Sequence, residues 1–251
     1  MSAAKRYDKI MELLIELQEI SVVDLSTKLA VTGKTIRQDL EKLESMGQLR
    51  RTHGGAILAN EGYYGILSRI SPNAIHLEAK VRLAKTAMKL IEANDIIALD
   101  GGSTTLEMAK LLENAPLTVI TNDLHIISEL IKKDQIRLVV PGGHRYRNAL
   151  VHEEPLLFYN KLNVQKAFLS TTGIHLDYGL TIFTNMHVEQ KRALIDSAQH
   201  VYCVADHSKF DKCALLTFAK LDEIHLIVTD DQVTVDTINK YNQAGVAIAN
   251  N

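Results

Sequence analysis

Cysteine is scarce in this chain: Cys203 and Cys213 are the two present among 251 residues. Two thiols do not build a disulfide framework, so a reducing cytoplasm is the expected compartment. No run of about 18 apolar residues occurs, which argues against membrane insertion. No charged-then-apolar leader opens the sequence, which argues against secretion. Internal repeats and low-complexity tracts are missing as well. Nor does one sign of charge dominate, since 28 Lys+Arg face 30 Asp+Glu for a net of −2. What is present is enough for a two-part protein. The length exceeds one typical domain, and a 46% hydrophobic composition supplies a sizeable core.

The most informative stretch runs from Thr32 to Gly47. On a helix, Ile36, Leu40 and Leu43 share one apolar stripe at i, i+4, i+7. Lys34, Gln38, Glu41 and Lys42 then face the other way, with Arg37 on the flank. A short helix with amides and cations on its free face suits a DNA major groove. Upstream, Ser21-Val-Val-Asp24 has the capping-box pattern and opens a helix carrying Val22, Leu25 and Leu29. Ala30 and Val31 leave room only for a tight turn before Thr32, which can cap the next helix. Helix, tight turn and polar-faced helix make a helix-turn-helix. Ile10, Leu13, Leu14 and Leu17 give a first helix the apolar face that closes a three-helix core.

A wing is expected next. Gly47 sits where a helix C-cap belongs, Gln48–His53 reads as a strand, and Gly54-Gly55 as a β-turn. Arg50, Arg51 and His53 would reach phosphates or the minor groove. The predicted DNA contacts are therefore Ser21, Thr32, Lys34, Thr35, Arg37, Gln38, Lys42, Arg50, Arg51 and His53. Charge alone favours a plain solvated helical domain, because residues 1–60 hold 9 basic and 8 acidic side chains. The order of caps, helices and wing outweighs that and points to double-stranded DNA.

Thr32–Leu40 together with Arg51-Thr-His-Gly-Gly-Ala56 resembles the N-terminal signature of the DeoR family of bacterial sugar-operon regulators. The resemblance implies a winged helix-turn-helix joined to a sugar-phosphate sensor with a ribose-5-phosphate isomerase-like fold. The family often has a second Arg where this chain has Gln38, and a bulkier residue at Gly33. Gln favours adenine edges where Arg favours guanine, so the departure bears on the operator read.

Beyond a linker expected at 58–73, marked by Gly62, Gly65 and Pro72, a helical pattern starts at Ala74. Apolar runs at Ile96–Leu99, Thr118–Thr121, Ile136–Val140, Ala167–Ser170, Val201–Ala205 and Ile224–Thr229 then alternate with helical stretches. These are Thr104–Leu112, Leu124–Lys132, Val188–Ala198 and Val235–Gln243. Continuous runs between helices predict an α/β domain with a mainly parallel sheet. The expected organisation is a winged helix-turn-helix over 1–57 and a sensor domain over 74–251. Residues 61–251 carry 19 basic and 22 acidic side chains, which keeps that part off the duplex.

Ligands of such sheets bind beyond the carboxyl ends of the strands. The first exit is Asp100-Gly101-Gly102-Ser103-Thr104-Thr105, before an amphipathic helix. Its glycines, hydroxyls and helix N-terminus read either as a phosphate cradle or as a capped tight turn. No Gly-Lys-Ser/Thr follows, so a nucleotide P-loop is not indicated. Thr121-Asn122, Pro141-Gly142-Gly143, Thr172-Gly173 and Asp206-His-Ser-Lys209 end later strands. There Lys209 supplies a charge for phosphate and Asp206 an acceptor for sugar hydroxyls. Each alone reads as a turn or surface residue, but they occur in the order of the DeoR-type sensor domain. By that resemblance these loops bind a phosphorylated sugar.

Glu189-Gln-Lys191-Arg192 also resembles the family, and related isomerases carry a Glu nearby as their enolisation base. Glu189 and Lys191 read as sugar contacts rather than as a catalytic pair, because an attached DNA reader gives binding a purpose without turnover. An isomerase-like enzyme is the alternative, and an architectural DNA-binding protein with a vestigial sensor is a third class. The family commonly has an Arg after the double Gly and then another Gly. Here the text is His144-Arg145-Tyr-Arg147, which leaves Arg145 or Arg147 as the ligand contact. His200, Cys203, His207 and Cys213 form the tightest set of metal-ligand types. Strand alternation turns His200 and Cys203 to opposite faces, so no metal and no cofactor is expected. The reading is a regulator, expected to be a repressor, acting as a homodimer or homotetramer because one reader covers only a half-site.

Overall fold

In a computed structural model, residues 3–17, 19–45, 49–58, 76–152, 154 and 158–250 are described. The helix cap expected at Gly47 and the linker expected at 58–73, apart from its first residue, lie outside them. No helix among the described residues is long and apolar enough to cross a membrane.

The N-terminal part contains α1 (Ala3–Leu17), β1 (Glu19–Ser21), α2 (Val22–Leu29), α3 (Gly33–Ser45), β2 (Leu49–Arg51) and β3 (Gly55–Leu58). Helix α2 begins as its cap chemistry dictates. The Ser21 oxygen accepts from the Asp24 N–H at 3.0 Å, and its hydroxyl donates to the Asp24 carboxylate at 2.6 Å. Ala30 ends the helix in the left-handed region at φ 53°, and the Ser26 hydroxyl donates to the Val31 carbonyl, closing the turn. Thr32 caps α3 by accepting from the Thr35 N–H at 3.2 Å. Ile36, Leu40 and Leu43 are buried against Ile10, Leu14 and Leu25. Asp39 is buried too, at 3% exposure, because Arg6 of α1 grips both its oxygens at 2.7 and 2.9 Å.

The wing differs from expectation in one detail. The strand order is β1-β3-β2, and Gly55 belongs to β3 rather than to the turn. A Cβ at Gly55 would stand 2.1 Å from the Ile20 carbonyl oxygen, so only glycine lets β3 pair with β1 there. Strand β1 was not expected, being three residues long.

The C-terminal part runs α4 (Leu77–Met88), β4 (Ile96–Leu99), α5 (Ser103–Leu111), β5 (Leu117–Ile120), α6 (Leu124–Leu130), β6 (Ile136–Val139), β7 (His144–Tyr146) and β8 (Ala149–Val151). It continues with β9 (Val164–Leu169), β10 (Gly173–His175), β11 (Gly179–Ile182), α7 (Val188–Ser197), β12 (Ala198–Val204), β13 (Leu216–Ala219), β14 (Leu226–Thr229), α8 (Val235–Gln243) and β15 (Ile248–Asn250). Seven strands form one parallel sheet in the order β15-β14-β12-β9-β4-β5-β6. Alternate residues of each strand feed two cores. Ile97, Leu99, Phe168 and Val204 pack with α4, α5 and α6, whereas Ala98, Ala167, Leu169 and Cys203 pack with α7 and α8. Cys203 thus lies in a core, and burial pushes its thiol up to about 12, while His200 is exposed.

The α/β architecture with a winged helix-turn-helix is the expected one. The short antiparallel sheet β10-β11-β13 and the hairpin β7–β8 were not expected. The topology fixes the site. From β4 the chain moves outward through β5 and β6, then returns to place β9 on the other side of β4. Helix α5 leaves β4 towards one face, and α7 lies on the other. A crevice therefore opens beyond the ends of β4 and β9, where the strand order reverses.

Candidate DNA-reading face and effector pocket

On the reader, Lys34, Arg37, Gln38, Glu41 and Lys42 are all exposed on α3, opposite its buried stripe. Arg50, Arg51 and His53 are exposed on the wing. Thr32 is exposed at the N-terminus of α3, and its hydroxyl lies 3.0 Å from that of the half-buried Thr35. Ser21 is engaged in its cap. One contact had no signal in the sequence. Glu44 accepts from the Arg51 backbone N–H at 2.8 Å and from its guanidinium at 2.6 Å, tying wing to recognition helix. That backbone bond, then the guanidinium, holds the Glu44 carboxyl below its ordinary range.

The crevice at β4 and β9 contains a cavity of about 640 Å³, including space open to solvent. At its base, Asp100 accepts from the Ser170 N–H at 2.9 Å and the Ser170 hydroxyl at 2.8 Å. Lys191 of α7 donates to the same Asp100 carboxylate and, at 2.8 Å, to the Ser170 carbonyl. The pair is buried on both sides, at 6% and 8% side-chain exposure, and its remaining bonds are what make that burial tolerable. Gly102 is required by close approach: a Cβ there would stand 2.6 Å from Ser170 Cβ. Asp123 forms another wall and caps α6, accepting from the N–H groups of His125 and Ile126. Burial raises the Asp123 pKa against those bonds. His187 stands beside Lys191, and burial followed by the Lys191 charge lowers its pKa to about 4, leaving a neutral ring.

Of the residues singled out by sequence, Asp100, Gly101, Asn122 and Lys191 line this cavity. Ser103, Thr104 and Thr105 form the first turn of α5 just behind it, where N–H groups have no helical partner. Thr121 is buried and accepts from the Asp123 N–H. Gly173 opens β10, its carbonyl accepting from the Thr171 and Thr181 hydroxyls, and its neighbour Thr172 reaches the cavity instead. Gly142 and Gly143 lead from β6 into the hairpin, both with positive φ. That hairpin folds back so that Asn148 and Ala149 line the cavity.

Four residues stand elsewhere. Glu189 is exposed, because α7 turns Gln190, Lys191 and Leu194 inward and leaves its predecessor outside. An enolisation base at Glu189 therefore has no place beside Lys191. Arg145 is exposed on β7, its guanidinium donating to the Arg147 carbonyl at 2.8 Å. Asp206 and Lys209 form a second polar cluster at the exit of β12, with Lys80 of α4. Burial works to raise the Asp206 pKa, but Lys209, Ser208 and Lys80 hold it below its ordinary value. Burial lowers Lys209 and Lys80 against that carboxylate. His207 bonds Asp230 at 3.0 Å alongside.

Sequence reasoning missed Asp123, Asn148, Phe183, His187 and Gln190. Phe183 matters most, because it lines the cavity and is also buried, with Ala214, in the apolar core of the reader. The Tyr146 hydroxyl makes a parallel link, donating to Glu12 of α1 at 3.2 Å.

A winged helix-turn-helix packed against an α/β domain with a polar-rimmed cavity at its strand ends is the architecture of a ligand-responsive DNA-binding regulator. Comparison with known families agrees. The DeoR-like helix-turn-helix domain matches residues 6–61 and the DeoR C terminal sensor domain matches residues 75–231. The chain belongs to the DeoR family of sugar-operon transcriptional regulators, which are not enzymes. It is 31% identical over 237 residues to the HTH-type transcriptional regulator IolR of Bacillus subtilis (strain 168), covering 91% of this chain and 93% of that one. It is 32% identical over 259 residues to the transcriptional repressor AccR of Agrobacterium fabrum, covering 99% and 98%. The L-fucose operon activator of Haemophilus influenzae is 29% identical over 238 residues, covering 94% and 95%. Among solved structures, ribose 5-phosphate isomerase A of Methanocaldococcus jannaschii aligns with 55% of this chain and 56% of its own, at a TM-score of 0.41 and 19% identity.

Proposed function

We propose that the chain is a repressor of a carbohydrate operon whose operator affinity is set by a phosphorylated sugar held in the cavity at β4 and β9. Residues 1–57 form the reader and 74–251 the sensor. The first turn of α5 receives the phosphate, with Ser103 and Thr104 hydroxyls and a favourable helix dipole. Lys80 and Lys209 add positive charge on the α4 side of that helix, Lys80 facing Glu107 of α5. Sugar hydroxyls meet Asp100, Asn122, Asp123 and Thr172. In the reader, α3 enters the major groove and Arg50, Arg51 and His53 meet the backbone. A homodimer or homotetramer in the cytoplasm presents two readers at half-site spacing.

One observation carries this reading: Phe183 belongs at once to the cavity wall and to the reader's core. A ligand that repacks that wall changes the seat of the reader, which gives it differential affinity for two arrangements. The decisive measurement is effector affinity with and without operator DNA. Linkage requires the operator to weaken the effector by the same factor that the effector weakens the operator, typically ~1–3 kcal/mol. Equal effector affinity in both conditions rejects the allosteric repressor.

A further inference from the structure

Gln190 is 6% exposed and lines the effector cavity. One end of its amide is fixed: Nε2 donates to the Tyr159 oxygen at 3.1 Å, and Tyr159 is itself buried. The other polar atom, Oε1, is buried without a hydrogen-bond partner. An amide oxygen in that state is unfavourable by a full desolvation penalty, and folded proteins leave few such atoms. An apolar side chain of similar shape would fill the same place on α7 without that penalty. The neighbouring Lys191 is committed to Asp100 and Ser170, so Gln190 brings the one uncommitted polar atom among those two inward side chains.

We infer that Gln190 is a specificity-determining residue of the effector cavity, bonding one hydroxyl of the ligand with the amide atom that Tyr159 leaves free. The inference deepens the sugar-phosphate reading above and rests on it. A hydroxyl is the group that fits. Whichever way the amide is turned, one polar atom meets Tyr159 and the other is left without a partner that a ligand could supply. A hydroxyl both donates and accepts, so it satisfies either, whereas an ammonium only donates and a carboxylate only accepts. A site built to bond a hydroxyl rejects the analogue lacking it, because the buried partner is then left unpaired.

The test uses the full-length protein and calorimetric titration with ribose 5-phosphate, glucose 6-phosphate and fructose 6-phosphate, each beside its monodeoxy analogues. Gln190→Met is expected to weaken the best-bound parent sugar about tenfold, the effect of one buried hydrogen bond. For one deoxy analogue, wild type and Gln190→Met should bind equally, because the bond is already gone. Tyr159→Phe, which loosens the amide without removing it, should weaken the same parent by a smaller factor and leave that analogue alone. The inference is overturned if Gln190→Met binds every parent as wild type does, or if it weakens parent and all analogues alike. Wild type that binds none of these sugars overturns it too, and that result alone also removes the broader sugar-phosphate reading.

Discussion

The Tyr146 hydroxyl bonds the Glu12 carboxylate across 3.2 Å, joining residues 134 positions apart. It links the sensor hairpin to the first helix of the reader, and the Tyr146 ring lies 6.1 Å from that of His187 in the cavity wall. Along this route Tyr146 alone stands between the cavity wall and the reader. With the bond removed by Tyr146→Phe or Glu12→Met, each ligand should bind alone within roughly threefold of wild type. The factor by which effector changes operator affinity should shrink about fivefold, equivalent to roughly 1 kcal/mol for one hydrogen bond. Fluorescence-anisotropy titrations with labelled operator measure both. An unaltered factor in both variants sinks the route.

The exposed face of α3 makes separable predictions about affinity and specificity. Lys34→Ala and Arg37→Ala should each reduce the slope of log affinity against log salt by about 1, the signature of a lost phosphate contact. Gln38→Arg should instead shift base preference at one position from adenine towards guanine. Selection from a randomised operator library reads the second effect. Should Gln38→Arg leave the selected sequence unchanged, Gln38 does not contact a base edge.

The Arg6–Asp39 pair holds α1 against α3 and is buried on the Asp39 side. Asp39→Ala removes the carboxylate that this guanidinium grips in the reader core and should destabilise that part by about 3–5 kcal/mol. Replacing both partners by apolar residues of similar volume should recover most of the loss. Urea denaturation followed by circular dichroism gives the numbers, and a loss below about 1 kcal/mol for Asp39→Ala would contradict the structural role.

His187 makes stability pH-dependent in a defined window. Its pKa is about 4 in the folded chain, through burial and then Lys191, against an ordinary value of 6.5 for histidine. The neutral ring is favoured by folding, so its contribution is complete above about 6.5 and disappears as pH falls towards 4. The loss is on the order of 1–3 kcal/mol. Melting temperature should fall more steeply between pH 6.5 and 4 in wild type than in His187→Gln. Parallel curves would show that the ring is not held neutral by the fold.

Local chemistry made the reader legible. The Ser21 and Thr32 caps act within three residues, and the Ile36–Leu40–Leu43 stripe follows from the helix period alone. Six of the seven parallel strands were legible for a similar reason, since each is a short, mostly apolar run; the edge strand β15 was not. In the wing, β2 falls inside the expected strand Gln48–His53, but β1 and β3 were not legible, nor were β10, β11 and β13. Strands β1, β10 and β15 are three residues long and include polar or glycine positions, too little to show either a period or an apolar run.

What the amino-acid order determined by itself was therefore the type of each long element and the chemistry at its ends, including Asp100-Gly-Gly-Ser-Thr before α5. Tertiary structure decided which side chains meet. Glu189 and Gln190 are neighbours in the chain, yet one faces water and the other the cavity, because the docking of α7 on the sheet selects the inward side of the helix. Phe183 and the reader, Tyr146 and Glu12, and Arg6 and Asp39 were equally invisible. Such pairings depend on the fold that brings distant segments together, and the spacing of residues along a chain carries no record of it.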